Sequence, residues 1–263
     1  MDLALAPPYF HDLQHFELSD MIELGAALRQ VAPDANTMEE AGSALVQYLY
    51  EHLAVEDSNV DDPYASPENR KNCALVRLFK THRFADLEPE QKEFARNAVK
   101  PGDELKDDTR CLTLLATAGS QPNWNHRLTS AGHKAIPLTS EEVVRQAPMV
   151  FQLIQQMGVE IADVVHARGD LILDSNQQTF NVFHVADALG SPYVPAQDFV
   201  RENGVKSVIG FGGLFPTGDL FAVILFSRVY VPRETAEMCR TLALCVKFLL
   251  LPFVRGQVFS KVG

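Results

Sequence analysis

The polar and apolar positions of this chain fall into two rhythms. In "ELSDMIELGAALRQVA", Glu17 to Ala32, the residues Ile22, Ala26 and Arg29 share a stripe, with Met21, Leu24 and Leu28 beside it. That period predicts a helix, ended by Pro33. In "NTMEEAGSALVQYLYEHL", Leu45, Leu49 and Leu53 recur every four residues and give a second helix its apolar face. Thr37 and Glu40 have capping-box spacing at its start, and Thr139 and Glu142 repeat that spacing ahead of "VVRQAPMVFQLIQQM", where Pro148 should kink or split the helix. "EPEQKEFARNAV" predicts a short exposed helix and "RETAEMCRTLALCVKFLLLPF" a long final one. From Ala236 to Leu251 that last helix is apolar almost all round, so more than one of its sides should be covered.

The second rhythm is short and strand-like. "CALVRLFKTH", "RCLTLLATAGS", "NVFHV", "KSVIGFGGLF" and "DLFAVILFSRV" are apolar runs bounded by turn residues. "VEDSNVDDPYASPENRKN" reads as a loop, "QPNWNHRLTSAGHKAIPL" as irregular, "LGSPYVPAQDF" as a turn-rich crossover, and Val159 to Phe180 carries a mixed signal. Two helices, two strands, helices, three strands and a helix predict an α/β domain of the α+β kind. Its central antiparallel sheet would have five or six strands and be flanked by helices, with the N- and C-terminal helices packed together.

Gly210, Gly212, Gly213 and Gly218 raise the question of a phosphate loop. A Walker loop needs a lysine after its last glycine, and here Asp219 follows Gly218. A dinucleotide fingerprint needs a third glycine opening a helix. Here Phe215 takes that place and a β-branched, aromatic run follows. A hairpin fits instead, with Pro216 and Thr217 in the turn and Gly218 in left-handed geometry. The glycines within the first strand would then let a helix or a ligand approach the backbone.

Composition narrows the function. The 263 residues are 46% hydrophobic with a formal net charge of -11 and scattered Lys and Arg, which argues against nucleic acid as a partner. Cys73, Cys111, Cys239 and Cys245 form no C-x-x-C pair, so no zinc cage, redox motif or disulfide framework is read from them. His11 and His15 have metal-compatible spacing on a helix, but no third ligand follows nearby. The start has no signal-peptide pattern and "LALCVKFLLLPFV" is too short to span a bilayer, so a cytoplasmic protein without membrane contact is expected.

"SVIGFGGLFPTGDLFAVILFSRVYVPRETAEMCRTLALCVKFLL", preceded by the paired helices from Glu17 to Leu53, resembles a GAF domain in its order of elements. The likeness divides the chain into an extension (1–16), a GAF-like domain (17–254) and a tail (255–263). It implies a small-molecule or redox sensing and signalling module that acts through helix packing, as a homodimer with a signalling partner protein. The chain departs from the bilin-binding members, having no Cys-His dipeptide, and from the cyclic-nucleotide-binding pattern. Its cysteines do not match the spacing of the sulfoxide reductases on this fold, and its Asn123–Tyr193 segment is longer than usual. A small thiol-dependent reductase using Cys73 or Cys111, and a ligand-free dimerisation module, remain as alternatives.

The expected ligand pocket lies between the sheet and the Trp124–Tyr193 segment, with Trp124, His166, Phe183, His184 and Tyr193 as its candidate residues. Trp124 would be a lid or a plug. His184, facing away from Phe183, would anchor a ligand, ligate haem, or be a hydrogen-bonded core histidine. His166 and Arg168 would meet a carboxylate or lie in solvent.

Overall fold

A computed structural model of the chain describes residues 9–55, 70–99, 102–166 and 182–260. Six strands form one antiparallel sheet: β1 (Cys73–Arg83), β2 (Arg110–Gly119), β3 (Ala135–Leu138), β4 (Val182–Val185), β5 (Ser207–Leu214) and β6 (Leu220–Ser227). Their order across the sheet is β3-β2-β1-β6-β5-β4. Every neighbouring pair is antiparallel. Helices α1 (Leu18–Leu28), α2 (Met38–His52) and α8 (Arg233–Leu250) cover one face. The opposite face is covered by α4 (Glu141–Arg145), α5 (Pro148–Gln156) and α6 (Ile161–His166). α3 (Pro89–Ala98) packs on β3 and α7 (Gln197–Glu202) leads into β5. This is the helix-flanked antiparallel sheet that the resemblance implied, with its terminal helices α1 and α8 in contact.

The core is two apolar layers, one on each face. Leu45, Leu49, Leu78, Val223 and Val246 belong to the first, and Leu75, Phe79, Leu153, Phe183 and Ile224 to the second. Because neighbouring strand residues point to opposite faces, β5 and β6 are buried along their whole lengths.

The glycine stretch is a hairpin. Gly218 has φ +79°, and Phe215 N–H donates to the Asp219 carbonyl at 2.8 Å. Gly210 and Gly212 are needed for helix packing. A Cβ on Gly210 would stand 2.6 Å from Leu153 Cδ1, and one on Gly212 would run into the Phe221 carbonyl and the Met157 side chain. The two α5-side residues, Leu153 and Met157, therefore sit directly on bare backbone.

Several local expectations shift. Thr37 caps α2 by accepting from Glu40 N–H at 3.1 Å, but the Glu40 carboxylate turns to Asn36 N–H at 2.7 Å. The cap of α4 is Ser140, which accepts from Val143 N–H, rather than Thr139. Pro148 does split that helical stretch, starting α5. The strand β3 was hidden in a stretch that reads as irregular, because its four residues include Pro137 at the sheet edge. His11 and His15 lie outside any helix and are separately engaged, by Asp20 at 2.9 Å and Asp12 at 2.7 Å. Both chain ends described here pack inward. Leu13 and Phe16 are buried, and Glu39 N–H donates to the Val258 carbonyl at 2.9 Å. No helix among the described residues is long and apolar enough to cross a membrane.

Candidate functional site

Sheet register assembles the site. Directly opposed residues on antiparallel strands share a face. Thr117 opposes Arg77, Arg77 opposes Ile224, Ile224 opposes Gly210 and Gly210 opposes Phe183. These five form one transverse row on the α5 face. At about 4.8 Å per strand, Arg77 and Phe183 are separated by about 14 Å. The face is otherwise apolar, which makes a guanidinium in its second position exceptional.

Arg77 is 9% exposed. Its Nη2 donates to Ser130 Oγ at 3.0 Å, and Ser130 is itself fully buried. Among the described residues its Nε–H has no acceptor, and the neighbouring Thr117 hydroxyl has no partner. Among the described residues no carboxylate pairs with Arg77. Burial pushes its pKa down to about 10, which still leaves it charged at neutral pH. A buried cation without a counter-charge costs several kcal/mol. The unused Nε–H, beside an Nη2 that retains a second proton, is the edge of a guanidinium that grips a carboxylate with two parallel bonds. The donors gathered here, the Arg77 guanidinium with the Ser130 and Thr117 hydroxyls beside it, are of the kind that hold an anion.

The sequence-derived candidates fall into two groups. Trp124 and Phe183 lie on the Arg77 face. Gly119, which opposes Leu75, leaves room for the Trp124 ring: a Cβ there would stand 2.9 Å from Trp124 Cε3. Trp124 is 5.6 Å from the Phe199 ring, and Phe199 is 5.2 Å from Phe226, so the indole closes an aromatic row. Phe183 is fully buried in the same layer. The other three stand apart. His184 projects to the α8 side, where its Nε2 meets the Val231 carbonyl at 3.0 Å, while its backbone N–H donates to Gln156 Oε1. His166 is exposed at the end of α6 and Tyr193 is 40% exposed in a turn. Arg168, and the rest of 167–181, lie outside the described residues, as does most of the loop expected between α2 and β1.

Arg77 was the residue that sequence reasoning passed over. The signal was present: "CALVRLFKTH" carries two basic residues inside a strand that is otherwise buried. The thiols point away from nucleophilic chemistry. All four cysteines are buried. Burial pushes Cys73, Cys111 and Cys239 up to about 12, the reverse of an activated thiolate. Cys111 opposes His82, nine residues along β1 from Cys73, so about 30 Å of strand separates these two candidate thiols and they cannot act as a pair. No group of three or more metal-ligating side chains occurs among the described residues.

No protein-family model matches the chain, and no curated protein does. Solved structures resemble it. The GAF domain from a phosphoenolpyruvate-protein phosphotransferase of Coxiella burnetii is similar with a TM-score of 0.47 and 12% identity, over 90% of this chain and 95% of that one. The phytochrome photosensory core module of Stigmatella aurantiaca gives a TM-score of 0.38 at 13% identity, over 91% of this chain and 38% of that one. The chromophore-binding domain of the Stigmatella aurantiaca bacteriophytochrome gives 0.39 at 13%, over 89% of this chain and 60% of that one. This chain thus spans less than two thirds of each of the two phytochrome chains it resembles.

Proposed function

We propose that the chain is a cytoplasmic sensing module that binds a small carboxylate with an apolar body and performs no turnover on it. The observation that carries this reading is Arg77, a buried guanidinium whose Nε–H has no acceptor and which pairs with no carboxylate among the described residues. The apolar body would rest on the Trp124 and Phe183 layer, and the carboxylate would neutralise Arg77. The reading uses no cysteine, which the raised thiol pKa values favour over the reductase alternative.

Output would pass through the terminal helices. α1 and α8 touch where Gly25 faces Cys245, with a Cβ at Gly25 standing 3.2 Å from the sulfur. Both helices keep large apolar side chains in solvent: Leu18 and Ile22 on α1, and Leu244 and Phe248 on α8. That surface suits a second copy of the chain, and a signalling partner protein would read the dimer. Ligand shifts the packing only by its differential affinity for one arrangement.

Thermal melting with benzoate, malonate and acetate, in the wild type and in Arg77→Met, tests this. A ligand at a hundredfold its Kd stabilises by about 2.7 kcal/mol, which for a chain of this size raises Tm by about 5–10 °C. The expected result is a rise in the wild type for benzoate over acetate, absent in Arg77→Met. A rise of the same size in both proteins would refute the assignment.

A further inference from the structure

We propose that the cleft at the far end of the sheet, on the face opposite Arg77, binds a small, multiply charged anion, and that the C-terminal strap Val254–Phe259 is its movable wall. Lys80 and His82 alternate with Arg77 along β1 and so point to the α2 and α8 side. They line a cleft of about 720 Å³ with Arg83, Arg110, Asp86 and Asp219. The strap contributes Arg255 and Phe259. Four cations face two carboxylates, a local positive excess in a chain whose net charge is -11. A concave positive patch in an acidic protein concentrates anions at that place.

The interior of the cleft is fixed in advance. Asp219 holds Lys80 at 3.0 Å and also pairs with Arg110, while the Thr217 hydroxyl donates to it at 2.9 Å. Its charge is thereby spent on two cations, which keep further N–H groups for a ligand. Arg83 is exposed, and among the described residues its one carboxylate partner is Asp86.

His82 shows that the closed cleft is incomplete. It is 5% exposed, and among the described residues neither ring nitrogen makes a hydrogen bond of normal geometry. Its ring lies under Phe259, 5.3 Å between centres. Leaving buried polar atoms unpaired costs about 1–3 kcal/mol each, and a ligand oxygen that displaced Phe259 would accept from the ring N–H and remove that atom's share. The strap is attached where such a displacement is felt. Met38 and Glu39 N–H groups, at the start of α2, donate to the Gln257 and Val258 carbonyls at 3.1 and 2.9 Å. Ser260 N–H donates to the Glu39 carboxylate at 2.9 Å.

Titration calorimetry of the chain at low salt with pyrophosphate and with citrate tests the proposal, since one carries clustered phosphate charge and the other clustered carboxylate charge. The control proteins are Arg77→Met and the double variant Arg83→Gln/Arg255→Gln, whose altered side chains are both exposed. The expected result is saturable binding of at least one probe, weakened about tenfold or more in the double variant and unchanged in Arg77→Met. Binding of pyrophosphate alone assigns phosphate chemistry, and binding of both assigns charge density. No saturable binding of either up to about 10 mM, or binding equally tight in the double variant, overturns the site. Hydrogen exchange at Met38 and Glu39 reads the strap: faster exchange with probe bound is expected, and unchanged exchange removes the strap's part. Because Arg77→Met leaves this cleft intact, failure here and failure of the carboxylate site are separate results.

Discussion

Two guanidiniums among the described residues are nearly inaccessible, and they live in opposite circumstances. Arg127 is 5% exposed and meets Glu39 at 2.6 Å, Glu88 at 2.7 Å and the face of Phe259 at 4.7 Å. Burial opposes its charge, but the hydrogen bonds and charges of Glu39 and Glu88 outweigh that, and its pKa is raised. Arg77 is almost as buried and has one neutral hydroxyl for a partner; its pKa falls to about 10. A cation held by two carboxylates and an aromatic ring joins the starts of α2 and α3 to the C-terminal strap. A cation held by a serine joins nothing that apolar packing would not hold better. The contrast separates a charge tied into the framework from one that the proposed carboxylate would neutralise.

Substitution should split the pair. Arg127→Met leaves two carboxylates without their cation, one of them in an 8% exposed side chain. Breaking a buried network in this way costs about 3–5 kcal/mol. Urea unfolding should show the midpoint falling with its slope unchanged. Arg77→Met should move the other way. It removes an uncompensated charge and adds apolar surface of similar length, so stability should rise by about 1–3 kcal/mol. If both variants lose stability to the same degree, Arg77 is a structural residue and the carboxylate reading fails with it. A gain in stability bought with lost ligand response is the pattern expected of a functional site.

The fold was readable because its signals were local. The period of Leu45, Leu49 and Leu53, the Pro148 break and the Pro216–Gly218 turn each act within a few residues, and each appears where its chemistry requires. The glycines of β5 also kept their meaning, since bare backbone is what Leu153 and Met157 need. The site was less readable because it is built across strands. Nothing near Arg77 in sequence announces Ser130, 53 residues away, or Thr117, which only the register places beside it. The candidates chosen for their chemistry went different ways for the same reason. Strand alternation alone sends Phe183 to the Arg77 face and His184 to α8, as the sequence implied for that pair without showing which face held the charge.

A third buried base sharpens the comparison, because it can do what neither arginine can and lose its proton. Burial, then the positive charge of Lys80, hold the His82 pKa well below its ordinary value; the Lys80 backbone pulls the other way and Arg110 adds to the lowering. The folded protein therefore keeps His82 neutral where the unfolded chain, with an ordinary histidine pKa near 6.5, takes up a proton. Above that value the two states carry the same charge at this position and it adds no pH dependence. Below it the unfolded state binds more protons, so stability falls as pH falls, by at most about 1.4 kcal/mol per pH unit for this one residue. The half-buried His184, lowered mainly by burial, adds a smaller share in the same direction. Unfolding free energies of the wild type and His82→Asn, measured between pH 7 and pH 5.5, isolate the residue. The expected outcome is a wild-type decline about 1 kcal/mol larger than that of the variant across this span. Parallel declines would mean that His82 takes up its proton equally in the folded and unfolded protein, so that burial under Phe259 does not hold the ring neutral; a wild-type decline smaller than the variant's would mean that Phe259 covers a cation.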